Sequence, residues 1–489
     1  MKTRQLVTRA VSGTVRQAVR ALLYGVVGGA IVLLVVFVRY LNGRPDLEVW
    51  HTAELDAEFT ADSPIHSFEA YLALEERLFA QLDERVYDEV EPSERRAISR
   101  YSRGSTADPS RWPSNWNRSF ELPAGSPGAG VLLVHGMSDS PYSMRALAQR
   151  LHEEGAWIVG LRVPGHGTAP VGLVDVEWED MAAAVVLAMR HLRAKVADRP
   201  LYIVGYSNGG ALAVHYALAA LEDGSLPAAR GLVLLSPEIG ITKVAALAVW
   251  QERLGHLLGM RKLAWNSILP EYDPFKYGSF ALNAGKQAYG LTREIQSRIS
   301  RLGPTGSLER FPPLLAFQSV VDATVTAPAL VQGLFERLPP GRHELVLFDI
   351  NRFAAIEPIL KTDPSAWIDR VFRDRAVDFS ITLVTNASAA SEEVVGRHIE
   401  PGAREATVSP LGLAWPRYVY SLSHVALPFR PDDPLYGGPN AGKSPGIHLG
   451  NVALRGERGA LRIGAADLMR LRWNPFHSYM ERRVLEFVR

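Results

Sequence analysis

Short apolar runs alternate with stretches of helical period along much of the chain. Between residues 130 and 238 the order is "GVLLVHG" (130–136), "MRALAQRLHEEG" (144–155), "WIVGLRVPGHG" (157–167), "WEDMAAAVVLAMRHLRAK" (178–195), "LYIVGYS" (201–207), "NGGALAVHYALAALED" (208–223) and "GLVLLSPE" (231–238). The apolar runs are continuous rather than alternating, so they predict strands buried on both faces. Strands separated by helices predict a parallel sheet covered on both sides.

From residue 238 to about 305 the alternation stops. "ITKVAALAVWQERLGHLLGM" (241–260) and "TREIQSRISRL" (292–302) read as helices, and the aromatic, turn-rich "PEYDPFKYGSFALN" lies between them. We read 238–305 as a helical cap inserted over the carboxyl ends of the strands, where open α/β sheets bind their ligands. The strand pattern resumes at "PPLLAFQSVVDATV" (312–325), with later strand candidates at "HELVLFDI" (343–350), "DFSITLVTN" (378–386) and "PRYVYSLSH" (416–424). Upstream, "FEAYLALEERLFAQL" (68–82) has helical spacing inside a polar lead-in that runs from 41 to 125. A terminal helix, "SYMERRVLEFV" (478–488), follows a Pro- and Gly-rich stretch.

The pattern changes completely at the N-terminus. Ala21 to Val38 holds 18 residues without a charge; as a helix it is about 27 Å long, close to the hydrocarbon thickness of a bilayer. Lys2, Arg4, Arg9, Arg16 and Arg20 precede it with no acidic residue among them. This places 1–20 as a cytoplasmic basic tail, 21–40 as a transmembrane anchor and the rest outside the cytoplasm, in the periplasm if the envelope is Gram-negative. A cleaved signal peptide is the competing reading. The run exceeds a usual signal core, and "RYLNGRPDL" offers no small-x-small cleavage site.

Composition adds exclusions. The 489 residues carry a net charge of +1, so no nucleic-acid-scale basic surface is expected. There is no cysteine, hence no thiol nucleophile, disulfide or thiolate metal site. No H-E-x-x-H, P-loop or strand-following G-x-G-x-x-G occurs, so no metal or cofactor is expected.

The candidate chemistry lies in "GYSNGG", a G-x-S-x-G placed between the strand at 201 and the helix at 208. A serine at such a corner is pushed out of the end of the sheet on a strained backbone. Gly205 and Gly209 leave room that a Cβ would fill, and the Asn208 N–H opens the helix without an intrahelical acceptor, so it can donate to an oxyanion. A glycine-rich turn with an incidental serine is the alternative reading of these residues alone. Of thirteen histidines, His424 follows a β-like run and is the preferred base; His343, His398, His448 and His477 also lie downstream of the sheet pattern.

Taken in order, "LLVHGMSDSPYSM", "GLRVPGHG", "GYSNGG", "LLSPEIG", "FQSVVDATV" and "LSHVALPF" resemble the α/β-hydrolase superfamily, most nearly its bacterial carboxylesterase, monoacylglycerol-lipase and lysophospholipase branch. The resemblance covers roughly 130–330 well and the region around 424 more loosely. It implies a mostly parallel eight-stranded sheet with helices on both faces and a triad in chain order Ser, Asp, His. Carried over to this sequence, Ser207 is the nucleophile, Asp322 the acid and His424 the base. His135 and Gly136 shape a loop in which the Met137 N–H joins that of Asn208 in an oxyanion hole. About one hundred residues separate Asp322 from His424, where the resemblance leads one to expect a few tens, so a second insertion is expected within 327–415.

The resulting expectation is a hydrolase domain over 126–489: a membrane-anchored serine esterase acting on a small acyl ester through an acyl-enzyme, without cofactor. The same triad suits thioesterase, acyltransferase or aminopeptidase chemistry, and an anchored binding protein on a hydrolase scaffold is the non-enzymatic alternative.

Overall fold

The computed structural model describes residues 2–240, 260–374, 377–403, 405–450 and 461–489. It divides into two compact units, Met1–Leu47 and Glu48–Arg489. The first is one helix, Lys2–Asn42. Within it Arg20–Asn42 has a mean hydropathy of 2.7 and buries none of its apolar surface, so by length and composition it is able to cross a membrane.

The second unit is built on a sheet of ten strands. In chain order they are β1 (Phe120–Leu122), β2 (Gly130–Val134), β3 (Trp157–Leu161), β4 (Leu201–Tyr206), β5 (Gly231–Leu235), then, after the small hairpin β6 (Trp265–Ser267) and β7 (Phe280–Ala281), β8 (Leu314–Ser319), β9 (His343–Phe348), β10 (Ser380–Asn386), β11 (Glu393–Ile399) and β12 (Thr407–Ala414). The order across the sheet is β1-β3-β2-β4-β5-β8-β9-β10-β11-β12. From β3 to β10 all neighbours are parallel; β1 and the β11–β12 hairpin are antiparallel edges.

Continuous apolar strands have the burial expected of them. Val131, Leu133, Ile158, Val204, Leu315 and Val346 face one core, against Met144, Leu147 and Leu151 near the helix Arg145–Glu153 and Phe476, Met480 and Val484 near the terminal helix His477–Val488. The alternate residues Leu132, Ile203 and Leu234 are equally buried, under the helices Trp178–Val196 and Asn208–Glu222. Each such side chain contributes about 1.5–3 kcal/mol relative to exposure. This is the α/β-hydrolase architecture.

Three expectations are revised. The sheet has ten strands rather than eight, because four strands lie within 327–415, where an insertion is expected: β9 and β10 continue the parallel series, and β11–β12 fold back on its edge. "PRYVYSLSH" is not a strand. It is an irregular segment in which Tyr418 adopts φ 64° and stands fully exposed, so its alternating letters do not reflect alternating burial. Residues 48–125, read as a lead-in, fold within the second unit: Glu75 on the helix Phe68–Leu82 and Glu58 both hold the buried Arg162 guanidinium at the end of β3, at 3.0 and 2.9 Å.

Of the cap expected over 238–305, "ITKVAALAVWQERLGHLLG" lies outside the described residues. The described part is the β6–β7 hairpin and a helix, Leu282–Leu302, that packs on Asn208–Glu222.

Candidate active site

The elbow between β4 and the helix Asn208–Glu222 is fixed by sterics. Ser207 sits at φ 54°, ψ −117°, a strained backbone for a residue with a Cβ. A Cβ on Gly205 would fall on the Gly209 carbonyl, and one on Gly209 would fall on the Val134 carbonyl of β2. The two glycines of G-x-S-x-G are therefore demanded by the close passage of helix, turn and strand. The Ser207 N–H donates to Leu235 O at 2.9 Å, and Ser207 O accepts from Gly210 N–H at 2.9 Å and Glu238 N–H at 3.0 Å.

At this elbow the structure brings together Ser207, Asp322 and His424. His424 Nε2 lies 3.0 Å from Ser207 Oγ, and its Nδ1 lies 2.8 Å from Asp322 Oδ2. Asp322 follows β8. Burial pushes its carboxyl up, but the charge and hydrogen bond of His424 and the N–H groups of Val325 and Thr324 outweigh burial and hold it below the usual carboxylate range. An ionised Asp322 accepts a hydrogen bond from Nδ1–H, which leaves Nε2 free to accept from the serine hydroxyl. None of His343, His398, His448 or His477 is placed at Ser207. His343 opens β9 at the opposite end of the sheet, His398 bonds Thr382 and Glu400, and His477 is buried near Glu481.

The loop after β2 lies against the serine: an added Cβ on Gly136 would stand 3.0 Å from Ser207 Cβ. His135 Nε2 accepts from the Val163 N–H at 3.0 Å, so its Nδ1 carries the proton and donates to Gly136 O at 2.9 Å. Burial drives its pKa well down, in keeping with this neutral tautomer. The Asp139 N–H, at 3.2 Å, also donates to Gly136 O. Since the peptide is planar and trans, pinning that carbonyl turns the Met137 N–H the opposite way. Among the described residues neither the Met137 nor the Asn208 N–H donates to a protein acceptor.

Several contributors escaped the sequence reading. Lys276, beside the cap hairpin, pairs with the buried Asp139 at 2.9 Å and so clamps the loop that follows Gly136. Gln318 Nε2 donates to Asp322 Oδ2 at 3.0 Å; its place four residues before Asp322 was the available signal. Glu238, in "LLSPEIG", buries Oε2 without a hydrogen-bond partner. Burial holds its carboxyl up at about 7, with His424 pulling it down and Asp322 pushing it up. A cavity of about 340 Å³ adjoins the site, lined by Asp139, Tyr272, Lys276, Val425, Phe429 and Arg472 among others. Among the described residues no group of three or more His, Asp or Glu is placed to hold a metal ion.

With this geometry in hand, comparison with known proteins places the chain. The model of the "Serine aminopeptidase, S33" family matches residues 125–349. A thermostable monoacylglycerol lipase of Bacillus sp. (strain H-257) is 30% identical over 224 residues, 45% of this chain and 76% of that protein. The chain belongs to this family of α/β-hydrolase serine hydrolases. It is a lipase- and esterase-like hydrolase. Among solved structures, Paleococcus ferrophilus monoacylglycerol lipase matches at 17% identity and a TM-score of 0.36, covering 47% of this chain and 89% of that one. A soluble variant of the Saccharomyces cerevisiae monoglyceride lipase matches at 16% and 0.34, covering 47% and 81%. Ser207, Asp322 and the loop 135–137 lie inside the matched region; His424 lies beyond it.

Proposed function

We propose that the protein is a membrane-tethered serine hydrolase that cleaves carboxylic acyl esters through Ser207, His424 and Asp322. The observation that carries this is the unbroken run of hydrogen bonds from Ser207 Oγ to His424 to Asp322 at a strained strand–helix corner. His424 Nε2 takes the Ser207 hydroxyl proton as Oγ attacks the ester carbonyl. The carbonyl oxygen becomes an oxyanion, received by the Met137 and Asn208 N–H groups. The imidazolium, stabilised by Asp322, returns the proton to the alkoxy oxygen. The C–O bond breaks and the alcohol leaves. Water, activated by His424 in turn, hydrolyses the acyl-enzyme.

Relatedness to a monoacylglycerol lipase supports an ester with an apolar acyl group. The apolar stretch Arg20–Asn42, preceded by five basic residues, supports an anchor whose N-terminus is cytoplasmic and whose catalytic unit is outside.

The test is labelling of the full chain by a fluorophosphonate, followed by hydrolysis of p-nitrophenyl esters, acylglycerols and aminoacyl amides. Wild type is expected to label at Ser207 and to prefer esters. Ser207→Ala is expected to abolish labelling and, like His424→Ala, to lose about 10⁴-fold or more in kcat with Tm unchanged, and Asp322→Asn to lose somewhat less. Folded wild type that neither labels nor turns over any ester would replace this reading with a binding role.

A further inference from the structure

Single exposed hydrophobic residues are ordinary on a protein surface; their distribution here is not. Outside the N-terminal helix, eight large hydrophobic side chains stand exposed among the described residues. Two, Ile98 and Val408, are scattered. The other six are Phe353, Ile359, Tyr418, Tyr420, Leu461 and Met469.

Those six come from three loops that meet at the catalytic end of the sheet. Asn351, just past β9, donates through its N–H to Tyr420 O at 2.7 Å and through Nδ2 to Val419 O at 2.9 Å. Ser423 Oγ donates to the Leu471 carbonyl. Arg470, next to Met469, reaches Thr324 Oγ1 at 3.5 Å, two residues from Asp322. Tyr418 is wholly exposed, Met469 84% and Ile359 81%.

Basic residues accompany them in sequence: Lys361 near Ile359, Arg417 beside Tyr418, Arg462 beside Leu461. The acidic Glu357 and Asp363 face Arg352 at 3.7 and 3.8 Å. Tyrosine and aliphatic tips flanked by basic side chains, of which Arg417 also faces Glu392 at 3.9 Å, are the composition of a membrane–water interface.

The β6–β7 hairpin supplies Ser267, Leu269 and Gly278 to the cavity beside Val425.

We infer that this rim is a bilayer-contact surface. It seats Ile359, Tyr418, Tyr420 and Met469 at the headgroup–acyl boundary, with Lys361, Arg417 and Arg462 on anionic head groups. It thereby opens the cavity beside His424 toward the lipid from which an acyl ester is drawn. This rests on the proposed reading of Arg20–Asn42 as a membrane span.

The chain has no cysteine, so single thiols introduced by Tyr418→Cys, Met469→Cys or, at the opposite end of the sheet before β4, Asp198→Cys can each carry a nitrobenzoxadiazole fluorophore. The full-length protein is placed in phosphatidylcholine–phosphatidylglycerol vesicles. The labels at 418 and 469 are expected to shift to the blue and to be quenched by brominated lipid, and the label at 198 to do neither. Equal, water-like emission at all three sites overturns the inference. So does a blue shift that brominated lipid fails to quench, because protein then covers the face. Tyr418→Asp combined with Met469→Asp is expected to lower turnover of vesicle-borne monoacylglycerol about tenfold, equivalent to about 1.4 kcal/mol, with p-nitrophenyl acetate hydrolysis unchanged. Equal turnover of both substrates by wild type and variant counts against the rim. Release of the protein by alkaline carbonate would instead overturn the span; the same three labels, read against added vesicles, still decide on the rim.

Discussion

Ser207 and His424 meet at 3.0 Å, yet the two regions that deliver them are built on opposite principles. The elbow is local. Six residues of strand, one strained serine and a helix are locked by carbonyls lying where a Cβ on Gly205 or Gly209 would stand. The segment bearing His424 has no regular structure before the short 3₁₀ turn His424–Ala426. It is held by bonds to its carbonyls from distant residues: Ser319 Oγ to Leu422 O at 3.0 Å, Asn474 Nδ2 to Leu427 O at 3.3 Å and Tyr206 Oη to His424 O at 3.5 Å. Ser207, on a strained turn, is fixed by short-range sterics, whereas His424 is positioned by the rest of the fold.

The comparison breaks first at its rigid side. Gly209→Ala drives a methyl into the Val134 carbonyl, and neither helix nor strand can yield without opening the sheet. Activity is expected to be lost and Tm to fall by several degrees, corresponding to about 3 kcal/mol or more of backbone displacement. A variant with wild-type Tm and kcat would mean that the elbow has slack which the carbonyl positions exclude.

This asymmetry also governs what the sequence could reveal. Gly205, Ser207 and Gly209 announce themselves because local sterics fix their spacing, and continuous apolar runs mark β2, β4, β5 and β8 because parallel strands are buried on both faces. β12, "TVSPLGLA", is an exposed edge with a proline and a glycine, so neither burial nor propensity marks it. The histidine was found through resemblance and a β-like run that proves irregular; its neighbours, Ser319, Asn474 and Leu471, are remote in sequence and carry no local pattern. Lys276 and Glu238 were missed for the same reason: each matters through what it faces across space.

The flexible side should yield more gently. Ser319 is fully buried and donates its hydroxyl to Leu422 O. Ser319→Ala leaves that carbonyl unsatisfied, at about 1–3 kcal/mol, and releases one tie on the segment carrying His424. We expect kcat to drop about tenfold with KM little changed and fluorophosphonate labelling slowed in proportion. A fall in Tm with kcat intact would show that the remaining ties suffice to place the imidazole.

The smallest expected effect tests the residue that touches both regions. Glu238 donates its N–H to Ser207 O, while its carboxyl feels the charges of His424 and Asp322 and is held up at about 7, chiefly by burial. The native state therefore keeps a proton on Glu238 between about pH 4.5 and 7 that the unfolded chain has released. The stability this confers is fully present below about pH 4.5 and is lost as pH rises through 7. Glu238→Gln mimics the protonated carboxyl at every pH. It is expected to match wild type near pH 4.5 and to exceed it at pH 8 by about 1 kcal/mol once the partial exposure of the residue is allowed for, as read from urea unfolding. An unfolding difference that is equal at pH 4.5 and 8 would mean that the carboxyl titrates in water and that elbow and histidine are coupled only through Ser207.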